Sequence, residues 1–284
     1  MRSATIAKTP RINPVDDHII VGARHAVPSP HEEPRIMFTL DRKLSPDEFI
    51  TTFFEATRQD HQRPPHPWEA IFREGKCSKE QLQGWAKERY YFTKQVPIKE
   101  YAILYNCPHV EVRRMWLPKA IEEEGEDLIG KSHKPHPEYW LDVCVGLGMD
   151  RESVRHSEPL YGVKFAVDSF ANAAFKTSWL LGVAVSEGDD TAKAMSRDLD
   201  TFRKHYKWVP DDALTFYKLH ADVDVEHGVL RKEILKKYAD TKELQEACIE
   251  AQLMKNNMRR AMADCIYMAY VVQGQKVDAT SAAA

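Results

Sequence analysis

An all-α bundle of seven or more helices is the architecture that this 284-residue sequence predicts. Three observations carry it. Helix starts recur along the chain as Ser, Asp or Pro ahead of apolar residues at helical spacing. Alternating β-branched runs and Asn-Gly turns, the marks of strands and hairpins, are missing from the sequence. An apolar content of 43% is enough for one substantial core at this length.

Each element follows from a local signal. Residues 1–40 open with a stretch rich in Pro, Ser, Arg and His, expected to be a flexible N-terminal extension. Residues 41–273 form the expected helical domain, and 274–284 are small and polar, an expected disordered tail. Ser45-Pro46-Asp47-Glu48 supplies an N-cap, a proline in the first turn and acids beside it, so a helix should run to about Arg58. A short helix is expected from Trp68 to Glu74, after a rigid loop rich in proline. Ser78 caps a longer one reaching about Lys94, and Pro97 is expected to begin another. His109 to Glu124 reads as helix, with Val112, Trp116, Ala120 and Ile121 on its inner side. His136 starts the next, which ends near Gly146–Gly148. The nearly continuous apolar run from Tyr161 to Glu187 predicts a central helix, and 191–206, 211–238 and 241–273 complete the set. No internal repeat is present.

Composition narrows the function classes. A formal charge of −3 gives no electrostatic footprint for nucleic acid or an anionic membrane. No run of 18 apolar residues exists to span a bilayer, and residues 1–20 lack a secretory signal core. Cys77, Cys107, Cys144, Cys248 and Cys265 are odd in number and lack CxxC spacing. They predict buried thiols in a reducing cytoplasm, with no disulfide framework.

The most informative stretch is His220-Ala-Asp-Val-Asp224-Val-Glu-His227. At 100° per residue, His220, Asp224 and His227 share one helix face with Phe216, Val223 and Leu230. Two imidazoles and a carboxylate in an apolar stripe need a partner, and a transition metal supplies one. Upstream candidates could complete a non-haem diiron site, which draws carboxylates and histidines inward from several helices. Glu123 ends the Trp116/Ala120 face, with Glu122 and Glu124 as rivals. His136 opens its helix, with His133 three residues away. Glu187 ends the face formed by Leu180 and Val183. Each has a plainer alternative: a solvated helix end for the glutamates, and a simple N-terminal residue for His136. Their order on successive helices, Glu, His, Glu and then HxxxDxxH, favours the metal.

From about Glu48 to Tyr270 the chain resembles the TenA/PqqC-like group, whose fold is haem-oxygenase-like. The segments that carry this are His66-Pro-Trp, Lys79-Glu-Gln-Leu-Gln-Gly-Trp85, Arg89-Tyr-Tyr91, Val96-Pro-Ile-Lys99, Asn106-Cys-Pro108, Val112-Arg-Arg-Met-Trp116, Gly162-Val-Lys-Phe-Ala-Val-Asp168, His205-Tyr-Lys-Trp208, Asp224-Val-Glu-His-Gly228 and Met268-Ala-Tyr270. In scaffold the resemblance is nearest to the branch of cofactorless oxidases that close a quinone ring. The chain departs from that branch in its pocket. Glu123 stands where the branch has a histidine, Phe92-Thr93 where it has Tyr-Gln, Tyr217 or its neighbour where an arginine grips substrate carboxylates, and Arg63 where it has another histidine. Arg89 and Lys255 match its pocket residues. What replaces the rest resembles the haem-oxygenase-like diiron oxidases and oxygenases, whose ligand pattern falls here on Glu123, His136, Glu187, His220, Asp224 and His227.

That resemblance implies two Fe(II)/Fe(III) ions per chain, O2 as co-substrate and oxidation of a small, amino-acid-derived organic substrate by N-oxygenation, C–C cleavage or desaturation. It leaves room for an external electron donor and implies a homodimer. Tyr217, one turn before His220, is expected near the metals, or else as a packed aromatic. Arg89 and Lys255 are expected to hold a substrate carboxylate. The alternatives are a structural ion pair of Arg89 with Glu100 and a snorkelled surface position for Lys255. Three other classes compete: a cofactorless oxidase built on Arg89 and Lys255, a thiamin-salvage hydrolase needing a nucleophilic cysteine, and a non-catalytic ligand-binding member of the fold.

Overall fold

The computed structural model describes residues 38–61, 64–125, 133–176, 178–186 and 189–277, with the side chains of 59–61, 173, 189–190 and 222–226 left out. Among these residues there are eleven α-helices and one π-helical turn, and no strand. The helices are α1 (Pro46–His61), α2 (Pro67–Arg73), α3 (Lys79–Asn106), α4 (Val110–Glu123), α5 (His136–Gly146), α6 (Arg151–Arg155), α7 (Tyr161–Lys176), α8 (Trp179–Ala184), α9 (Asp189–His205), α10 (Thr215–Tyr238) and α11 (Lys242–Ile266). The π turn, Tyr267–Val272, continues α11. No helix among the described residues is long and apolar enough to cross a membrane.

Local chemistry sets the boundaries. Ser45 and Glu48 cap α1 reciprocally, each backbone N–H donating to the other side chain. Ser78 and Gln81 do the same for α3, which satisfies two otherwise orphaned donors. The described chain begins at Phe38, and Leu40 N donates to Glu246 Oε1 at 2.6 Å.

Three elements differ from the sequence expectation. Pro97 lies inside α3, which runs unbroken to Asn106. A proline there removes one helical hydrogen bond, but Val96, Pro97, Lys99 and Glu100 are all buried, and tertiary packing carries the helix through. The apolar run after Tyr161 is two helices, because Ser178 accepts from Leu180 N and starts α8 afresh. The short α6, capped by Asp150 on Ser153 N, had no periodicity long enough to be read.

The core has two parts. One gathers Trp68, Trp85, Trp140, Phe170, Phe202, Phe216 and Tyr217. The other gathers Phe49, Phe53, Ile103, Trp116, Val183 and Ile234. Buried charged residues join them: Lys99 Nζ lies 5.4 Å from the Phe170 ring of the first, and Glu100 accepts from Trp116 Nε1 of the second at 2.8 Å. The candidate site belongs to this polar seam.

Candidate metal centre

Helices α4, α5 and α10 converge on the seam. Glu122 and Glu123 end α4, and Gly125 follows with φ +93°, a left-handed conformation that suits glycine. A Cβ there would meet His133 O at 2.5 Å. The same glycine's carbonyl accepts from His133 N at 2.8 Å, so the chain folds back and returns His136 onto the glutamates. His136 Nε2 lies 2.7 Å from Glu122 Oε1 and its Nδ1 lies 2.8 Å from Glu123 Oε2. The Nδ1 contact is out of line for an N–H bond, which leaves that atom without a hydrogen-bond partner.

His220 comes in from α10, its ring 4.5 Å from that of His136. Its Nδ1 lies 2.8 Å from the Phe216 carbonyl. A carbonyl only accepts, so Nδ1 carries the proton and the Nε2 lone pair is directed elsewhere. Ligand atoms of Glu123, His136 and His220 lie within 4.8 Å of one another, and all three residues are buried. His133 stays outside this group, its Nδ1 beside Lys134 O, and Glu124 is exposed.

His227, two turns along α10, is also buried, with its Nδ1 3.3 Å from Lys119 Nζ. Glu187 and the side chain of Asp224 lie outside the described residues, as does Arg63. Burial would lower the His136 pKa, but the Glu123 charge and the contacts with both glutamates reverse this, pushing it up to about 10. Glu123 is held well below the usual carboxylate range: burial opposes ionisation, and His136 and Lys119 overcome it.

The donor set fits a transition-metal ion. It offers one carboxylate and two imidazoles in a buried pocket, one imidazole with its tautomer fixed by a carbonyl and the other held between two carboxylates, where a metal ion would take the place of its proton. A cavity of about 30 Å³ adjoins it, lined by the three residues together with Arg89, Phe92, Thr93, Phe216 and Arg259. That is room for about two water-sized groups.

The other expected site residues divide. Arg89 lines this cavity, with its guanidinium 4.9 Å from the Trp140 ring. Glu100 is engaged by Lys99 and Lys119. Lys255 is 3% exposed, so it is no surface lysine, but it packs against Phe170 and is not among the lining residues. Tyr217 is fully buried against Trp140 and Phe202. Its hydroxyl has no hydrogen-bond partner, and it is not among the residues lining the cavity. Arg259 was missed in the sequence, although it sits one turn after Lys255. Among the described cysteines none lines the cavity, and burial pushes the Cys77 thiol up to about 11 and Cys248 to about 12. A nucleophilic cysteine hydrolase gains no support from this.

The fold is a helical bundle of the haem-oxygenase-like kind. A domain of unknown function with this fold from Shewanella denitrificans superposes with a TM-score of 0.65 at 15% identity, covering 84% of this chain and 96% of that one. The chain belongs to the TENA/THI-4/PQQC family, which it matches over residues 56–263. It is 32% identical to the pyrroloquinoline-quinone synthase of Cronobacter sakazakii over 239 residues, 82% of this chain and 92% of that protein. It is also 32% identical to the pyrroloquinoline-quinone synthase of Pseudomonas aeruginosa over 213 residues, 73% of this chain and 82% of that protein.

Proposed function

We propose that this chain is a dioxygen-dependent oxidase with a non-haem iron centre, acting on a small carboxylate-bearing substrate. The observation that supports this most is the convergence of Glu123, His136 and His220 within 4.8 Å at a cavity whose wall carries Arg89 and Arg259. Glu123, His136 and His220 would hold one iron. His227, with Glu187 and Asp224, would hold a second. Iron so bound supplies the electrons and coordination positions that dioxygen reduction needs, an external donor restoring them between turnovers.

The protein's own groups set the rest. The Phe216 carbonyl orients His220 by its hydrogen bond. Glu122 holds His136 from its far side, the supporting contact that a ligating imidazole needs. Arg89 and Arg259, both within 6 Å of the Phe92 ring centroid, form a cationic wall suited to a substrate carboxylate beside an aromatic surface. The buried surround keeps water from the reacting atoms.

A second reading has its own support. The pyrroloquinoline-quinone synthases are related over most of the chain, and His136 between two carboxylates already has its charge balanced without a metal. A cofactorless oxidase would use that imidazole and Arg89 directly. Anaerobic Fe(II) titration of metal-free protein, with iron counted per chain, separates the two. Bound iron that supports oxygen uptake is expected, and no bound iron would sink the metal reading. Because imidazoles must be neutral to ligate and the glutamates push the His136 pKa up to about 10, iron must displace that proton, and its affinity should fall steadily as the pH is lowered through the neutral range, measured as iron retained after gel filtration.

A homodimer is also proposed. Helices α3 and α7 lie side by side, tied by Lys87 Nζ to Glu158 O at one end and Asn106 Nδ2 to Ala174 O at the other. The two helices expose Tyr101, Tyr105, Tyr161, Phe165 and Phe175, large side chains of the kind that a second copy covers. Phe165→Glu is expected to give a monomer by light scattering. A native chain already monomeric at micromolar concentration would refute this.

A further inference from the structure

The buried cations of the seam have no part in the scheme above, and one of them contacts the ligand set. Lys119, on α4 one turn before Glu123, is 2% exposed. Its Nζ lies 3.3 Å from His227 Nδ1, 3.5 Å from Glu100 Oε1 and 3.6 Å from Glu123 Oε1. Two carboxylates and an imidazole nitrogen around a buried positive charge are the surroundings of a metal ion, met here by an ammonium group. An ammonium only donates, so the Nδ1 lone pair of His227 is spent on it, and the neutral ring then carries its proton on Nε2. Neither nitrogen of His227 is ready to ligate in that arrangement.

We propose that Lys119 occupies the second metal position as an internal cation, so that the chain takes one ion readily at Glu123, His136 and His220 and a second at His227 only when the ammonium moves aside. This rests on the metal reading given above. The seam is built to keep Lys119 in place: Glu100 faces it, and Glu100 is itself fully buried and held by Lys99 at 2.8 Å. Two cations a few ångströms apart in a buried site repel strongly. The second ion therefore binds more weakly than the first for a reason that lies in one side chain.

The test is anaerobic calorimetric titration of the full chain with Co(II), whose visible bands report coordination, repeated with Fe(II). The native chain is expected to show two steps, the second at least tenfold weaker. Lys119→Met keeps the aliphatic stem and removes the charge, and Lys99 still neutralises Glu100. Its second step should tighten at least tenfold, and by more than the first, whose ligand Glu123 also faces Lys119. Lys119→Arg, which retains a larger cation in the same place, should lose the second step, and it serves if the methionine variant folds poorly. A mere packing role for Lys119 would not move the two variants in opposite directions. A second step that is unmoved or weaker in Lys119→Met, or kept at native affinity in Lys119→Arg, overturns this proposal and leaves the metal centre standing. No binding of either ion by the native chain overturns the metal reading and this proposal together.

Discussion

His220→Ala is expected to weaken the first metal ion by at least about 100-fold and to stop oxygen uptake, in a chain that stays folded. The loss exceeds the roughly 10- to 100-fold that follows removal of a group merely supporting a ligand, because here a donor atom itself goes. His220 lies at the cavity wall and is 9% exposed, so its removal enlarges an existing space. The Phe216 carbonyl loses its imidazole partner but keeps its place in the α10 ladder, so the loss costs about 0.5–1.5 kcal/mol. Helical content by circular dichroism should be native. Tyr217→Phe, three residues away, is the control. Its hydroxyl is buried and makes no hydrogen bond, so deleting it should leave stability unchanged or higher, with iron binding intact. Native metal affinity in His220→Ala would remove His220 from the site, and iron loss in Tyr217→Phe would restore Tyr217 to a chemical role.

The contrast between these neighbours shows what the sequence could reveal. His220, Asp224 and His227 were legible together because helical spacing alone places them on one face, and the fold supports that spacing with a continuous α10. Tyr217 stands on much the same face, and sequence cannot tell whether a buried aromatic points at a cavity or into a core. Sequence spacing could not choose between His133 and His136; in the fold it is His136 that lies beside Glu123 and His220, while His133 N bonds to the Gly125 carbonyl. The seam cations were missed for a definite reason. Pro97 suggested a helix start, and Glu100 entered only as a possible ion-pair partner of Arg89. Once α3 continues through the proline, Lys99 and Glu100 become fully buried. Lys119 had a readable signal, its i,i+4 relation to Glu123, but only the fold shows that Glu100 and His227 face it from other helices. Arg259 had none beyond its spacing from Lys255.

Glu100→Leu is expected to be the most destabilising single change in the seam, lowering stability by about 3–5 kcal/mol and the melting temperature by roughly 10 °C. Glu100 is fully buried and touches Lys99, Lys119 and Trp116 Nε1. Burial by itself disfavours its ionised form, yet the two lysines hold its pKa below the ordinary carboxylate value. Its charge is therefore present in the folded state and compensates theirs. Removing it leaves two ammonium groups in a dry environment, with Ser186 Oγ still 2.8 Å from Lys99, and with His227 Nδ1 at 3.3 Å and Glu123 at 3.6 Å from Lys119. Breaking a buried pair costs far more than replacing both partners with apolar groups. The double variant Lys99→Met/Glu100→Leu should accordingly recover most of the loss, since Lys119 keeps Glu123 and no unpaired charge remains at Lys99. Thermal unfolding of the metal-free chains decides the matter. If Glu100→Leu melts within about 3 °C of the native protein, the seam is hydrated in solution and its charges are not the buried set described above. If the double variant is no better than the single one, the cost lies in packing against Trp116 and Phe170, and electrostatics is not its source.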